Sequence, residues 1–511
     1  MEKEKLNKVI SKKKIGLNLI SNIVSFGTQI VLSFFLTPFL IKSLGKDLYS
    51  FYPIATNIVT YMTIVTTALN TMAARFITVS LVRNNIDDAK RYFSTLLLIN
   101  IILAGLLCVP SILIIIFLDK ILNINVDYVG EIKILFTFVF ASAIINVISN
   151  IFGVATFAKN RIDLRSIREI VASILRLFLF IILYKFCPTT IIYVGLVALV
   201  IAVFNLIVQF FYTKKLMPEI SLTSRYSDIR LFKILISNSI WNVISSLGAI
   251  LLCGTSLILS NLYLGESASG TYSIIQTIPN LFNSLISMLF GVFFPVITYK
   301  YAQNDKDALI EELLKNQKLI STLGLAILFV FAGFSEDFFS LWTPLENNKE
   351  LFNLSLILLI QYVFVTCFWG LYNLSIVMTK VKIPALLELV LGIINILLSY
   401  ILCKKMEMGL FVLPLISSSL TIFWIGIFYP IYISKLLNIK IFTFYKTLIV
   451  DLLFGTLLFT LIIMFRNSIR IDSWFKFILF GGLFGIGALI LFFIANFGLK
   501  NIFRYVRRKK K

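Results

Sequence analysis

Apolar runs of about 20 residues recur along almost the whole chain, from Ile15 to Phe497. Each run is long enough to cross a hydrocarbon core of roughly 30 Å as a helix. The runs are continuous in Leu, Ile, Phe and Val and do not alternate with polar residues, as the strands of a membrane barrel would. With 59% hydrophobic and 14% charged residues, the chain is predicted to be an all-α polytopic membrane protein.

About fourteen transmembrane helices are expected. Their predicted ranges are 15–41, 48–74, 93–118, 132–157, 170–186, 190–213, 234–262, 270–297, 318–342, 352–378, 383–402, 410–434, 447–465 and 475–498.

Lysine and arginine are distributed unequally between alternate loops. With the N-terminus placed in the cytoplasm, the outer loops hold 11 and the cytoplasmic side holds 34 of the 47 basic residues, Arg75 and Arg176 being counted as intramembrane. Basic residues accumulate in the cytoplasmic loops of membrane proteins, so both termini are predicted to be cytoplasmic. Topology thus explains the net charge of +22, and no nucleic-acid partner is expected.

An internal repeat relates the two halves of the chain. The stretch "NLISNIVS", residues 18–25, and the stretch "NSIWNVIS", residues 238–245, share an N-x-x-x-N-x-x-S pattern at an offset of 220 residues. "LGKDLYS" at Leu44 is matched by "LGESASGTYS" at Leu264. Since both copies begin on the predicted cytoplasmic side, the repeat is parallel, with its axis along the membrane normal. We therefore expect two copies of a six-helix lobe.

This organisation divides the chain into five predicted segments. They are a basic cytoplasmic N-terminus (1–14), an N-lobe of helices one to six (15–213), a cytoplasmic linker (214–233), a C-lobe of helices seven to twelve (234–434), and two further helices with a basic cytoplasmic tail (435–511).

Stripes of polar residues run along the first two helices of each lobe at helical spacing. Such residues either hydrogen-bond across helix interfaces or line a shared polar cavity, because many amide groups are hard to satisfy in a dry seam. The predicted substrate-binding positions of this kind, with one on the eleventh helix, are Asn18, Asn22, Gln29, Thr60, Thr67, Asn70, Asn238, Asn242, Gln276, Asn280, Asn283 and Asn395.

Arg176 is the most informative single residue. It lies eight residues beyond Arg168 and nine before Lys185, so about 12 Å of helix separates it from either flank. A guanidinium at that depth costs at least about 2.5 to 3.5 kcal/mol. It should therefore face an aqueous anion site or an ion-pair partner, or reach the membrane surface from a tilted helix.

Acidic residues within the apolar runs are few. Glu169, on the face of Arg176, and Glu388, at the matching position of the repeat, are candidates for ion coupling or gating, as is Arg75 at the end of the second helix. Asp451 is expected to lie near a helix N-terminus and to interact with the helix dipole.

Signatures of enzymes and metal sites are absent. The chain has no histidine, no GxSxG and no P-loop motif, and its five cysteines have no C-x-x-C spacing. We therefore expect a transporter without catalytic residues, cofactor or bound metal, powered by gradients or the membrane potential.

Four stretches carry a family resemblance: "LTPFLIKSLGKDLYSFYPI", "ALNTMAARFITV", "YLGESASGTYSI" and "LYNLSIVMTKVKIPALLELVLGIINILLSY". With them, nearly the whole chain resembles the Wzx-like flippases, the polysaccharide-transporter branch of the multidrug/oligosaccharidyl-lipid/polysaccharide (MOP) exporter superfamily. The resemblance implies two six-helix lobes around a V-shaped cavity, often with two extra helices. It also implies alternating access for a polyprenyl-diphosphate-linked oligosaccharide.

The resemblance also sets the expected role of the chain. It implies a multi-pass protein of the plasma membrane that works in cell-surface polysaccharide biosynthesis, with polymerase or glycosyltransferase machinery as candidate partners. Related lipid II flippases carry basic cavity residues in helices one, two and eight, whereas this chain has none in the body of its first or eighth helix. The alternative is a cation-coupled multidrug or small-molecule exporter of the same superfamily, which would need an essential cavity acid.

Overall fold

All regular secondary structure in the described part of the chain is helical. The computed structural model describes residues 12–83, 85–159, 161–220, 226–303, 305–343 and 348–498. The α-helices are α1 (Lys12–Leu44), α2 (Lys46–Val82), α3 (Ile86–Ile116), α4 (Leu118–Ile121), α5 (Val129–Asn150), α6 (Val154–Ala158), α7 (Ile162–Phe186), α8 (Ile192–Leu216), α9 (Ile229–Ala249), α10 (Ser256–Leu264), α11 (Glu266–Ala302), α12 (Lys306–Trp342), α13 (Asn348–Val377), α14 (Lys382–Ser399), α15 (Val412–Thr421), α16 (Tyr429–Leu437), α17 (Phe442–Ser468) and α18 (Trp474–Phe497).

Within these residues, 11 helices are long and apolar enough to cross a membrane, or 12 if the broken pair Ser239–Gly254 and Ser256–Leu264 forms one span. The all-α membrane architecture is thereby confirmed, whereas the expected count of about fourteen is not. Two predicted spans form helices, α2 and α7, that are not among these candidates. The physical reason is their polar content, since α2 is rich in threonine and α7 carries three arginines.

The glycines of the two "LG" turns of the repeat both have a positive φ. Gly45 has a φ of 82° and Gly265 a φ of 88°. This left-handed region is strained for residues with a Cβ, so glycine is the residue that permits the next helix to begin directly after the turn.

Contacts divide the chain into two compact units, the first comprising residues 1–250 and 264–270. In the described part of this unit, α5 packs along α8, α1 along α7, and α9 against α2 and α3. Ser239 of α9, for example, donates a hydrogen bond to the carbonyl oxygen of Ala68 at 3.4 Å. The predicted division at residues 214–233 stays a prediction, and residues 221–225 of that linker lie outside the described residues.

The second unit comprises residues 251–263 and 271–511. Its centre is α12, which packs against α13, α17 and α18. Glycines permit these close crossings: a Cβ added at Gly455 would lie 2.2 Å from the Cε2 atom of Phe329. The unit also contains the π-helical segments Tyr400–Lys405 and Ile422–Phe428.

Candidate functional site

One face of α7, a helix of the first unit, gathers charged and polar side chains. Glu169, Ser173 and Arg176 follow one another at spacings of four and three residues, so they lie on one side of the helix. This face of α7 is directed at a cavity of about 280 Å³ that α1 and α8 also line. The lining residues are Gln29, Leu32, Ser33, Arg168, Glu169, Ala172, Ser173, Arg176, Ile201 and Asn205.

Glu169 is engaged by neighbours on two helices. Its carboxylate accepts a hydrogen bond from the Ser25 hydroxyl at 3.0 Å and one from Arg165 Nε at 2.9 Å. A guanidinium nitrogen of Arg168 lies 3.5 Å away. Two arginines therefore balance this one carboxylate, and Ser25 joins α1 to α7 through it.

Arg176 is half-buried and lines the same cavity seven residues beyond Glu169, about 10 Å farther along the helix. Across the described ranges, no acidic side chain lies within ion-pair distance of its guanidinium. Asn205 adds a buried side-chain oxygen without a hydrogen-bond partner there. The cavity thus offers an unbalanced positive charge together with neutral polar groups, which suits an anion that also carries hydroxyls.

Threonines of α2 are committed as donors to their own helix. The hydroxyls of Thr60 and Thr67, both exposed, donate to the carbonyl oxygens of Thr56 at 2.9 Å and Thr63 at 3.0 Å. Each such oxygen keeps acceptor capacity. This stripe can therefore receive hydrogen bonds from a ligand's hydroxyls but has no spare donor of its own at these two residues.

Asn70 lies in a helix interface and does not line the cavity. Its side chain is buried and pairs with buried Asn100 of α3, whose Nδ2 donates to Asn70 Oδ1 at 2.9 Å. The amide nitrogen of Asn70 also donates to the Thr66 carbonyl oxygen at 2.7 Å. The geometry favours the interhelical interpretation at this position, because both amides are satisfied within the protein.

Asn395 of α14 is likewise buried. Its Nδ2 donates to the carbonyl oxygen of Leu251 at 3.0 Å, within the π-helical segment Ile250–Gly254. A π-helical turn displaces backbone carbonyls from regular α-helical bonding, so the amide satisfies a group that the irregular backbone exposes. Its own Oδ1 is buried without a partner.

Of the remaining candidates whose side chains the structure describes, none lines the α7 cavity. Asn242 of α9 and Gln276 of α11 are half-buried, and Asn280 and Asn283 are exposed. Glu388 is buried, with 2% of its surface exposed. The side chains of Asn18, Asn22, Arg75 and Asn238 lie outside the described residues.

Three cavity residues were missed by sequence reasoning: Ser33, Arg168 and Asn205. Its position one residue before Glu169 places Arg168 at the predicted flank of the membrane helix, where the sequence alone favours a surface role. Asn205 is an isolated polar residue in an apolar run, and α8 has no stripe that would direct attention to it.

These features describe a helical membrane transporter with a polar, positively charged site inside one lobe-like unit. Residues 11–299 match the family described as polysaccharide biosynthesis protein, and the chain belongs to that family. Its resemblance to Wzx-like flippases of the MOP superfamily is thereby confirmed.

Particular relatives cover almost the whole chain. The uncharacterized membrane protein EpsK of Bacillus subtilis (strain 168) is 26% identical over 466 residues, which are 90% of this chain and 91% of EpsK. The lipid II flippase MurJ, in an inward closed conformation, superposes with a TM-score of 0.64 at 15% identity, covering 94% of this chain and 98% of MurJ. An inward-facing multidrug resistance MATE family transporter of the MOP superfamily gives a TM-score of 0.62 at 14% identity, covering 83% of this chain and 98% of the MATE chain. The two structural likenesses show the fold.

Proposed function

We propose that this protein is a flippase that moves a polyprenyl-diphosphate-linked oligosaccharide from the cytoplasmic to the outer leaflet of the plasma membrane by alternating access. Membership of a polysaccharide biosynthesis family supports the class of cargo. The observation that carries the proposal is Arg176, a cationic side chain in a polar cavity without an acidic partner among the described residues.

The chemistry of the cargo explains why such a cavity is needed. A sugar and a diphosphate cannot cross hydrocarbon unaided, because each unsatisfied polar group costs several kcal/mol. Arg176 would neutralise a phosphate or an acidic sugar, while Gln29, Ser33 and Asn205 would replace water at hydroxyls. A membrane potential that is negative inside favours outward movement of negative charge by about 2.3 kcal/mol per charge per 100 mV.

The arrangement of Glu169 disfavours the cation-coupled exporter as the alternative. A cavity carboxylate that binds a coupling cation must be free of competing charge, whereas Glu169 contacts Arg165 and Arg168. We therefore assign Glu169 a positioning role that holds α1 against α7.

The test measures lipid-linked oligosaccharide in each leaflet of cells whose chromosomal copy is deleted or replaced by a variant. Deletion should cause accumulation on the cytoplasmic leaflet, and the wild type should clear it. Loss of a charge-assisted hydrogen bond costs about 1.5 to 3 kcal/mol, so Arg176→Ala should slow clearance roughly 10- to 150-fold. Arg176→Lys should recover part of that loss.

Lys185→Ala is the matched control, because Lys185 ends the same helix, is exposed and does not line the cavity. It should clear the lipid as the wild type does. An unchanged lipid pool on deletion would refute the flippase, whereas normal clearance by Arg176→Ala would remove Arg176 from the pathway.

A further inference from the structure

Asp451 lies ten residues into α17 and is fully buried. The helix begins at Phe442, so the expectation that Asp451 sits near a helix N-terminus is wrong: two turns of helix precede it. Its carboxyl group faces α12, α13 and α18, in the seam that joins the last two helices to the rest of the second unit.

The contacts of this carboxyl are all neutral. Asn496 of α18 donates from Nδ2 to Asp451 Oδ1 at 2.8 Å and to the Thr322 hydroxyl of α12 at 3.1 Å. The Cys367 sulfur of α13 lies 4.0 Å from Asp451 Oδ2. The Ser321 hydroxyl of α12, which donates to the Lys318 carbonyl oxygen at 3.2 Å, is a further neutral neighbour of the carboxyl. Four helices thus converge on one acid.

No counter-ion accompanies it. Throughout the described residues, no lysine or arginine lies within ion-pair distance of Asp451, and the titratable group facing it from the neighbouring helices is the Cys367 thiol. A lone carboxylate in a dry membrane interior is strongly disfavoured relative to its neutral form. The group must therefore hold a proton or another cation.

A small cavity borders Cys367, the thiol that contacts the acid, and gives a second, independent observation. It has a volume of about 10 Å³, which is room for about one water molecule, and its lining of ten residues includes Asn316 and Gln317. Asn316 is buried, and among the described residues neither polar atom of its side chain has a hydrogen-bond partner; the same holds for the buried Oε1 atom of Gln317. These unpaired groups face a space next to the thiol that contacts Asp451.

We propose that Asp451 is a reversible proton-binding site of the C-terminal helix pair, separate from the α7 cavity, with the Asn316–Gln317 cavity as its route to water. Because Oδ1 accepts the bond from Asn496, the proton resides on Oδ2. A hydronium ion delivers it through a water in the cavity, and the reverse step returns it there. This inference does not rest on the proposed flippase function.

Infrared difference spectroscopy of the full-length protein in lipid nanodiscs tests the site directly. The wild type should show the carbonyl stretch of a protonated carboxylic acid at neutral pH, and Asp451→Asn should lose it. The band should disappear reversibly as the pH is raised, and it should titrate identically in sodium and choline buffers. Asn496→Leu, which removes the donor to Oδ1, should shift the band and leave the acid in place.

Asp472→Asn is the control, because Asp472 is an exposed acid in the loop between α17 and α18 that pairs with Lys476. It should leave the band unchanged. Absence of an acid band in both the wild type and Asn496→Leu at every pH would overturn the proposal. Displacement of the band by sodium at constant pH would also overturn it, since the site would then bind a metal cation.

Discussion

Replacing the two asparagines of the Asn70–Asn100 pair by leucine distinguishes a structural role of Asn70 from a ligand-binding role. Both side chains are buried, and Asn100 Nδ2 lies 2.9 Å from Asn70 Oδ1. Leucine has the same branching and the same number of side-chain heavy atoms as asparagine but no polar atoms, so the exchange alters hydrogen bonding while keeping the side-chain shape.

The expected magnitudes follow from what each change leaves behind. Asn100→Leu leaves the Asn70 carbonyl oxygen buried without its donor, which costs about 1 to 3 kcal/mol. Replacing both partners removes the unsatisfied groups together, so the double variant should be close to the wild type. The coupling energy should therefore be at least about 1 kcal/mol, above the average of about 0.6 kcal/mol for hydrogen bonds between membrane helices.

The measurement is the free energy of unfolding in lipid bicelles by steric trapping, for the wild type, both single variants and the double variant. Thr60→Val is the control on the same helix, because the exposed Thr60 hydroxyl bonds only its own helix; its effect should stay within about 0.5 kcal/mol. Additive losses in the double variant would refute the pairing. A stable double variant that fails to clear lipid-linked oligosaccharide would restore Asn70 as a ligand.

Three further predictions concern stability. Arg466→Met should lower the free energy of unfolding by about 2 to 4 kcal/mol in the same assay, because two acids would lose their counter-ion. Arg466 is mostly buried, pairs with Asp337 and lies 2.9 Å from Glu336. An unchanged free energy of unfolding would show that water replaces the guanidinium. Gly455→Ala should lower the free energy of unfolding by about 1 to 3 kcal/mol, because it forces a Cβ against the Phe329 ring. Gly481→Ala is the control and should be neutral or stabilising, since a Cβ there meets nothing within 4 Å. Equal effects of the two variants would contradict the close helix crossing at Gly455. Burial raises the pKa of Glu219, but backbone hydrogen bonds and Lys159 at 3.1 Å outweigh it and hold that pKa below its usual range. The ionised Glu219 therefore stabilises the folded state above its unfolded-state pKa, and this stabilisation is lost as the pH falls through its folded-state pKa. In thermal unfolding measurements, the melting temperature of Glu219→Gln should fall less than that of the wild type when the pH is lowered below about 4. Parallel pH profiles of the two proteins would exclude this contribution.

Hydrophobic run length was sufficient to predict the fold class, because the bilayer imposes one length on every spanning helix. It could not predict which helices count as spans. The α2 helix satisfies its threonine hydroxyls internally, as at Thr60, and α7 keeps its charges in a cavity and at its ends. The mean apolarity of a run shows neither that its hydroxyls are satisfied within the helix nor where its charges lie.

The site was predictable where its residues share one helix and obscure where they do not. The spacing of Glu169, Ser173 and Arg176 fixes a common face, and the structure places all three on the α7 cavity. The surroundings of Asn70 and Asp451 were not predictable, for the opposite reason. Their partners Asn100 and Asn496 come from other helices, and helical periodicity does not tell which helices meet.

The polar face of α12 has a consequence for how the chain is made. Gln317, Ser321 and Thr322 are covered by α17 and α18: Gln317 Nε2 donates to the Phe444 carbonyl oxygen at 2.9 Å, and Thr322 accepts from Asn496. Those two helices are synthesised after α12, so the amide and hydroxyls of α12 lack these partners while more than a hundred later residues emerge. We expect the insertion machinery or lipid headgroups to satisfy these groups in that interval, until α18 is synthesised and covers them.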